Sequence, residues 1–139
     1  KEEIKKVPFL GQYTSAMGMI FIDRKNKLKA KESLQKAGEL IRNGRDVVVF
    51  PEGTRSKDGN IHQFKRGAFI LAKEGKVNIV PVAIKGTNKI NPAGKFRLRP
   101  GKVSIKYGEL ILAQNFENNT VEEFAAHVQS EVEKLYKSI

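Results

Sequence analysis

The chain contains no cysteine, and it has only two histidines, His62 and His127. Without cysteine it can form neither a disulfide nor a thiolate metal site, and it offers no thiol nucleophile. Long apolar runs are missing too, since a stretch such as residues 68–72 falls far short of the ~18 residues that a membrane-spanning helix needs. What remains is a chain of 139 residues, 40% hydrophobic and 29% charged, which can build a core. We expect a single domain over residues 1–139, with no metal and no cofactor.

Acidic residues are scarce. Lys and Arg number 26 against 15 Asp and Glu, a net charge of +11, and between Lys85 and Lys106 there are seven basic side chains and no acid. Such a field attracts polyanions, meaning nucleic acid, anionic lipid headgroups or phosphorylated small molecules, and charge alone does not choose among them. Nucleic acid is not expected, because the chain has no zinc-finger spacing and no aromatic signature for RNA recognition.

Hydrophobic periodicity predicts an alternation of strands and helices. The predicted strands are residues 16–23, 46–50 and 78–84, with a hairpin formed by residues 96–98 and 103–107. The predicted helices are residues 27–43, residues 68–74 and the segment that follows Thr120. Strand–helix–strand order implies an α/β sandwich with right-handed crossovers.

The last of these helices has the clearest signature. Thr120 and Glu123 are spaced as a capping box, in which each side chain satisfies an orphan amide of the first helical turn. One apolar stripe follows at helical spacing, made of Val121, Phe124, Val128, Val132, Leu135 and Ile139. Because the polar face of this helix is acidic, the stripe is predicted to dock on the core and not on an anionic membrane.

Two polar clusters come directly after predicted strands. Asp23-Arg24 follows residues 19–22, and residues 50–56 follow residues 47–49. If the two strands are parallel neighbours, their carboxyl ends share one edge, where open α/β sheets bind ligands. Arg24 and Arg55 would then converge on one crevice, and two guanidinium groups suit a phosphate because each planar fork matches two of its oxygens.

The neighbours of Arg55 fit the same purpose. Gly53 lets the backbone approach a ligand closely. Thr54 and Ser56 offer hydroxyl donors, and Glu52 can accept a hydrogen bond from a substrate hydroxyl or hold an arginine in place. Each residue taken alone could be an ordinary surface or turn residue, whereas the combined heptapeptide predicts a binding site.

These residues also resemble a known family. Residues 50–56 (Phe-Pro-Glu-Gly-Thr-Arg-Ser) resemble the third signature block of the glycerolipid acyltransferases, specifically the 1-acyl-glycerol-3-phosphate (lysophosphatidic acid) acyltransferases. Residues 18–24 (Gly-Met-Ile-Phe-Ile-Asp-Arg) resemble the second block, and residues 79–83 (Ile-Val-Pro-Val-Ala) the fourth. The resemblance implies an α/β fold with a mixed, mostly parallel sheet flanked by helices.

The chain departs from this family at the first block. Family members carry an Asn-His-x-x-x-x-Asp block whose His–Asp pair is the catalytic dyad, and these 139 residues contain none. Five residues after His62 is Gly67, and five after His127 is Val132, so neither histidine replaces it. We expect that the amino-terminal portion of the domain is missing, that the dyad lies upstream of Lys1, and that these residues alone are inactive.

The resemblance further implies the substrates of the reaction and its location in the cell. The reaction would move a fatty acyl group from acyl-CoA or acyl-carrier protein to a hydroxyl of lysophosphatidic acid, forming phosphatidic acid at the cytoplasmic face of an anionic membrane. The acceptor would be held by Arg24, Glu52, Gly53, Thr54 and Arg55, with Lys65 as a weaker candidate. The alternative is a non-catalytic basic domain that binds anionic lipid or nucleic acid.

Overall fold

Five α-helices, two β-strands and one 3-10 helix occur among residues 9–18, 27–92 and 98–139, which are the residues that the computed structural model describes. Contacts divide the chain into two compact units, Lys1–Val48 and Val49–Ile139. Among the described residues, no helix is both long enough and apolar enough to cross a membrane. The prediction of a single domain stays a prediction.

The first unit contains helices α1 (Leu10–Ala16) and α2 (Lys27–Arg42). Helix α2 confirms the predicted helix, and it stops where the sequence indicated, because Gly44 takes a left-handed φ of 77°. That conformation lets Arg45 N–H donate to the carbonyl of Leu40 at 3.0 Å, which satisfies an orphan carbonyl of the last turn. Helix α1 was not expected. It includes Ala16, so the predicted strand 16–23 is wrong at its start, and residues 19–23 lie outside the described residues.

The predicted strand at residues 46–50 is wrong for this structure. No strand is assigned there, and the side chains of Val48 and Phe50 are 83% and 71% exposed. A β-branched run favours a strand only when a neighbouring strand pairs with its backbone and a second layer covers its faces. Neither a paired strand nor a covering layer is found at this segment among the described residues.

The core of the second unit is aromatic and lies between helices α3 (Arg66–Glu74) and α5 (Val121–Lys137). Phe124 is fully buried at its centre, stacked on Phe116 with ring centroids 4.7 Å apart and edge-on to Phe69 at 5.9 Å. The Thr120 capping box is present, with the Thr120 hydroxyl accepting from Glu123 N–H at 3.2 Å. The prediction that α5 docks through its apolar stripe is confirmed.

The sheet of the second unit is small and antiparallel. Strand β1 (Val82–Lys85) pairs with strand β2 (Ser104–Tyr107), with Ala83 opposite Lys106 and Ile84 opposite Ile105. The predicted strand 78–84 is confirmed in part, since Ile79 makes only an isolated bridge to Ile111 and β1 begins after Pro81. Proline carries no backbone N–H for a ladder, which explains why the regular strand begins only after Pro81.

The predicted hairpin is not confirmed. Strand β2 pairs with β1, and of its predicted partner, residues 96–98, Leu98 forms no strand and the other two lie outside the described residues. After β1 the chain forms the helical turn α4 (Thr87–Ile90). Strands and helices are thus both present, as an α/β chain requires. A mostly parallel sheet is not confirmed, because strand pairing among the described residues is antiparallel.

Candidate functional site

Residues 51–65, here called the 51–65 loop, form a closed loop that carries most of the predicted site. Its ends are joined by a 2.8 Å hydrogen bond from Lys65 N–H to the carbonyl of Pro51. A second bond crosses the loop, because His62 N–H donates to the Glu52 carboxylate at 3.0 Å. A surface loop whose ends meet in this way is an Ω-loop, a form often found at functional sites.

The far end of the loop is a turn built around Asp58. The Ser56 hydroxyl donates to the Asp58 carboxylate at 2.7 Å and accepts Gly59 N–H at 2.8 Å, while Asn60 N–H donates to Asp58 at 3.1 Å. These bonds stabilise the ionised form, so they lower the pKa of Asp58 well below its ordinary value of 3.8. Gly59 takes a left-handed φ of 82°, which glycine supplies in tight turns at no steric cost.

Helix α5 anchors the loop from behind. The Tyr136 hydroxyl donates to the carbonyl of Gly59 at 2.8 Å, and Phe64 N–H donates to the side-chain oxygen of Gln129 at 3.0 Å. Both helix residues are half-buried and far from the loop in sequence. The loop therefore takes its shape from the long carboxy-terminal helix as well as from its own residues.

Gly53 sets the direction of the chain at the start of the loop. Its φ of 75° is left-handed, and its N–H donates to the carbonyl of Phe50 at 3.0 Å, which closes a turn over residues 50–53. Residues with a Cβ adopt this conformation only at a cost, so glycine suits the position. The turn leads directly into Thr54 and Arg55, whose side chains are both exposed.

Arg55 is the exposed cation of the site. Its Nη1 donates to the side-chain oxygen of Asn91 at 3.1 Å, and no carboxylate within the described residues forms an ion pair with it. A guanidinium has five N–H donors, so this one bond leaves donors for a second acceptor. Because asparagine is neutral, the positive charge of Arg55 is kept. The group is thus oriented and still able to bind an anion.

Lys65 lies at the other end of the loop, where α3 begins. It is exposed, and it takes the N-cap position of α3 without a side-chain hydrogen bond to the first amides. The start of a helix carries a partial positive charge, and the lysine adds a full one. Electrostatically, both the Arg55 side and the Lys65 side of the loop favour an anion.

The structure places the predicted site residues unevenly. Glu52, Gly53, Thr54, Arg55 and Lys65 all lie on the 51–65 loop, whereas Arg24 is outside the described residues, so its convergence with Arg55 stays a prediction. Ser56 is committed to the Asp58 turn, and Glu52 binds a backbone amide. Among the described residues no arginine pairs with Glu52.

Sequence reasoning missed Asn91 because that residue belongs to none of the resembling blocks. It ends α4, a turn too short for hydrophobic periodicity to detect. A signal was present, since Gly86 allows a sharp turn after the predicted strand and Asn91-Pro92 is a common way to leave one.

The histidines form no dyad of the expected kind. His62 is exposed and its Nε2 lies 3.0 Å from Asp58, while His127 is exposed and packs on Phe116 with ring centroids 4.8 Å apart. Within the described residues no three His, Asp or Glu side chains are grouped so that they could hold a metal ion.

The similarity of this chain to known proteins includes the 51–65 loop and extends well beyond it. A sequence model of the acyltransferase family matches residues 1–85, which include the 51–65 loop. A 1-acyl-sn-glycerol-3-phosphate acyltransferase of Saccharomyces cerevisiae is 34% identical over the whole of this chain. The chloroplastic enzyme of that name, BAT2, from Brassica napus is 40% identical over 68% of the chain.

A solved structure agrees with the sequence comparison. The crystal structure of the 1-acyl-sn-glycerophosphate (LPA) acyltransferase PlsC from Thermotoga maritima superimposes with a TM-score of 0.83 at 32% identity and covers 99% of this chain. The chain spans 54% of that structure, 47% of the yeast relative and 27% of the Brassica relative. These proteins are therefore much longer than this chain of 139 residues.

Proposed function

Because the chain belongs to the acyltransferase family, we propose that it contributes the acceptor site of a 1-acylglycerol-3-phosphate O-acyltransferase. The reaction forms an ester between a fatty acyl group and a free hydroxyl of lysophosphatidic acid, giving phosphatidic acid for phospholipid synthesis. The role of these residues is to hold the phosphate of the acceptor. The general base of the resembling family is a His–Asp dyad, and these 139 residues contain no pair with its spacing.

The proposal is supported above all by the exposure and hydrogen bonding of the Arg55 guanidinium. Its guanidinium is exposed, oriented by Asn91 and free of any carboxylate partner among the described residues. It stands on a loop closed by Pro51 and Lys65, so the position of its backbone is fixed before a ligand arrives. A fixed cation with spare donors in planar geometry is what a phosphate monoester needs.

The chemistry of the step explains why positioning matters. A base removes the proton of the acceptor hydroxyl as its oxygen attacks the thioester carbonyl carbon of the donor. The carbon–sulfur bond then breaks, and the thiol leaves with a proton. No covalent enzyme intermediate is required, because the acceptor oxygen attacks the thioester directly. Holding the phosphate at Arg55 places the hydroxyl beside the base, so that a bimolecular encounter becomes effectively unimolecular.

The remaining partners belong to the same proposal. The donor is acyl-CoA or acyl-carrier protein, and the membrane is an anionic surface approached on its cytoplasmic face. The basic stretch from Lys85 to Lys106 supports both, because it attracts anionic headgroups and the phosphates of a donor. A mostly parallel sheet is also proposed, on the resemblance alone.

Isothermal titration calorimetry of the chain tests binding at the acceptor site independently of the catalytic step. A short-chain lysophosphatidic acid, kept below its critical micelle concentration, is titrated into the chain. The monoacylglycerol of equal chain length is titrated in a parallel experiment. We expect binding of the first and little of the second, because the two ligands differ only in the phosphate. Equal binding of both would show that the chain recognises the acyl group alone.

A transfer assay completes the test. With acyl-CoA and lysophosphatidic acid, the chain alone should form no phosphatidic acid, since no general base of the expected spacing is present. Turnover by the chain alone would contradict the assignment of the catalytic step to a His–Asp dyad of the expected spacing. Binding of DNA in preference to lysophosphatidic acid would instead support the nucleic-acid alternative.

A further inference from the structure

Helix α4 contacts the 51–65 loop at two places. Asn91, at its carboxyl end, accepts the 3.1 Å hydrogen bond from Arg55. Asn88 lies against the turn of the loop, so close that a Cβ added to Gly59 would come within 2.5 Å of its amide nitrogen. These contacts join a segment outside the resembling blocks to the exposed cation of the proposed site.

The position of Asn91 is set by backbone contacts that do not involve Arg55. Gly86 precedes α4 with a left-handed φ of 99°, packed so tightly that an added Cβ would collide with the carbonyl oxygen of Lys102. At the other end, Asn91 N–H donates to Thr87 at 2.9 Å and Arg99 N–H donates to Ile90 at 2.9 Å. The side-chain oxygen of Asn91 is therefore offered to Arg55 from a fixed support.

The chemistry of an amide at this position is specific. An arginine side chain has large rotamer freedom, and ordering it during binding opposes affinity. A hydrogen bond from one Nη orders the guanidinium beforehand. Because the acceptor is neutral, the charge stays available, whereas a carboxylate at position 91 would form an ion pair and compete with the ligand phosphate.

We propose that Asn91 is a positioning residue, which orients Arg55 toward the phosphate of the acceptor without neutralising it. The proposal rests on the proposed function, since it requires Arg55 to bind that phosphate. Asn91 itself need not touch the ligand. Replacing Asn91 should then change the affinity only when Arg55 is present.

A double-mutant cycle read by calorimetry tests this route, with the short-chain lysophosphatidic acid as probe. Asn91→Ala should weaken binding roughly 3- to 10-fold, as expected for loss of one hydrogen bond. In an Arg55→Ala background the same substitution should change nothing further, because the group it orients is gone. An equal loss in both backgrounds would overturn the proposal.

Two further variants separate positioning from simple tethering of α4 to the loop. Asn91→Asp keeps an acceptor oxygen beside Arg55, so a tether would be preserved and binding would match the unsubstituted chain. If Asn91 instead positions Arg55 while leaving its charge free, Asn91→Asp should weaken binding more than Asn91→Ala does, because the new carboxylate competes with the ligand phosphate. Asn88→Ala, which touches the loop at Gly59 and not at Arg55, serves as the packing control and should bind normally.

The possible failures are distinguishable. If Arg55→Ala binds as well as the unsubstituted chain, the proposed acceptor site is wrong and the role of Asn91 falls with it. If Arg55→Ala loses binding while Asn91→Ala does not, only the role of Asn91 is wrong. Circular dichroism of each variant confirms that it is folded, and Asn91→Asp keeps the test open should Asn91→Ala unfold.

Discussion

The Glu52 carboxylate accepts a 3.0 Å hydrogen bond from the backbone N–H of His62, ten residues further along the chain. The bond crosses the 51–65 loop just inside the point where Lys65 N–H reaches the carbonyl of Pro51. Glu52 therefore braces the loop that presents Arg55. The residue pattern offered two other roles, accepting a hydrogen bond from a substrate hydroxyl or holding an arginine in place. A ligand contact and a brace of the loop respond differently to substitution.

Replacing Glu52 by alanine should loosen the loop. The amide of His62 loses its acceptor, and we expect its hydrogen exchange to accelerate about 5- to 10-fold, with a matching loss of lysophosphatidic acid affinity. Glu52→Gln is the matched control, because its side-chain oxygen can still accept the bond. Weaker binding in both variants with unchanged exchange at His62 would assign Glu52 to the ligand instead of the loop.

Gly53 should tolerate only residues that accept a left-handed backbone. Its φ of 75° makes Gly53→Ala unfavourable by roughly 1–2 kcal/mol, and the strain should displace Thr54 and Arg55. Gly53→Asn should cost less, since asparagine enters this conformation more readily. The free energy of unfolding in urea measures both. An alanine variant as stable as the asparagine variant would show that the turn can rearrange without loss.

Removing the Tyr136 hydroxyl should separate helix α5 from the turn of the loop. Tyr136→Phe leaves the carbonyl of Gly59 without its 2.8 Å partner and should lower the free energy of unfolding by about 1 kcal/mol. The ring itself, which lies 5.1 Å from the ammonium of Lys85, is retained. Amide exchange around Gly59 should accelerate, while exchange in the α5 core at Phe124 should stay slow. Uniform acceleration would mean that the hydroxyl supports the whole unit.

Acid should destabilise the second unit through Asp58. Hydrogen bonds from Ser56 and Asn60 hold the pKa of Asp58 below its ordinary value of 3.8, so its contribution is present above that value and is lost as the pH falls through the lower pKa of the folded state. The pKa of Glu123 is lowered in the same direction by its bonds with Thr120.

Urea midpoints measured from about pH 6 to about pH 2 check this dependence. We expect the urea concentration at the midpoint to decrease once the pH falls below about 4. The Asp58→Asn variant should be less stable than the unsubstituted chain at about pH 6, but its midpoint should decrease less on acidification. An Asp58→Asn variant with the same acid dependence as the unsubstituted chain would show that the carboxylate carries no such stability.

The helices were predictable from sequence because their signals are local. The capping box at Thr120 and the apolar stripe through Phe124 specify α5 almost completely, and Gly44 specifies the end of α2. Strands were harder to predict, since pairing depends on distant partners. Residues 46–50 have strand composition without a paired neighbour among the described residues, and β2 pairs with β1 across α4.

The candidate site, like the fold, was predictable from sequence where its signal is local and not where it depends on distant residues. Its residue types and order identified the 51–65 loop, because the motif is continuous in sequence. The bonds that shape the loop were not predictable, since Gln129 and Tyr136 reach it from α5 and Asn91 reaches it from α4. A one-dimensional pattern indicates which groups bind a ligand more readily than it indicates which groups hold them.

The most direct test of the account is the affinity of the chain for a short-chain lysophosphatidic acid when Arg55 is replaced. Arg55→Ala should weaken binding by about 2 kcal/mol, or roughly 30-fold, as expected for loss of charge-assisted hydrogen bonds. Arg66→Ala, which removes an exposed arginine already paired with Glu122 at 2.8 Å, should have little effect. Equal losses in the two variants would mean that the phosphate is attracted by general positive charge, and the 51–65 loop would not be the acceptor site.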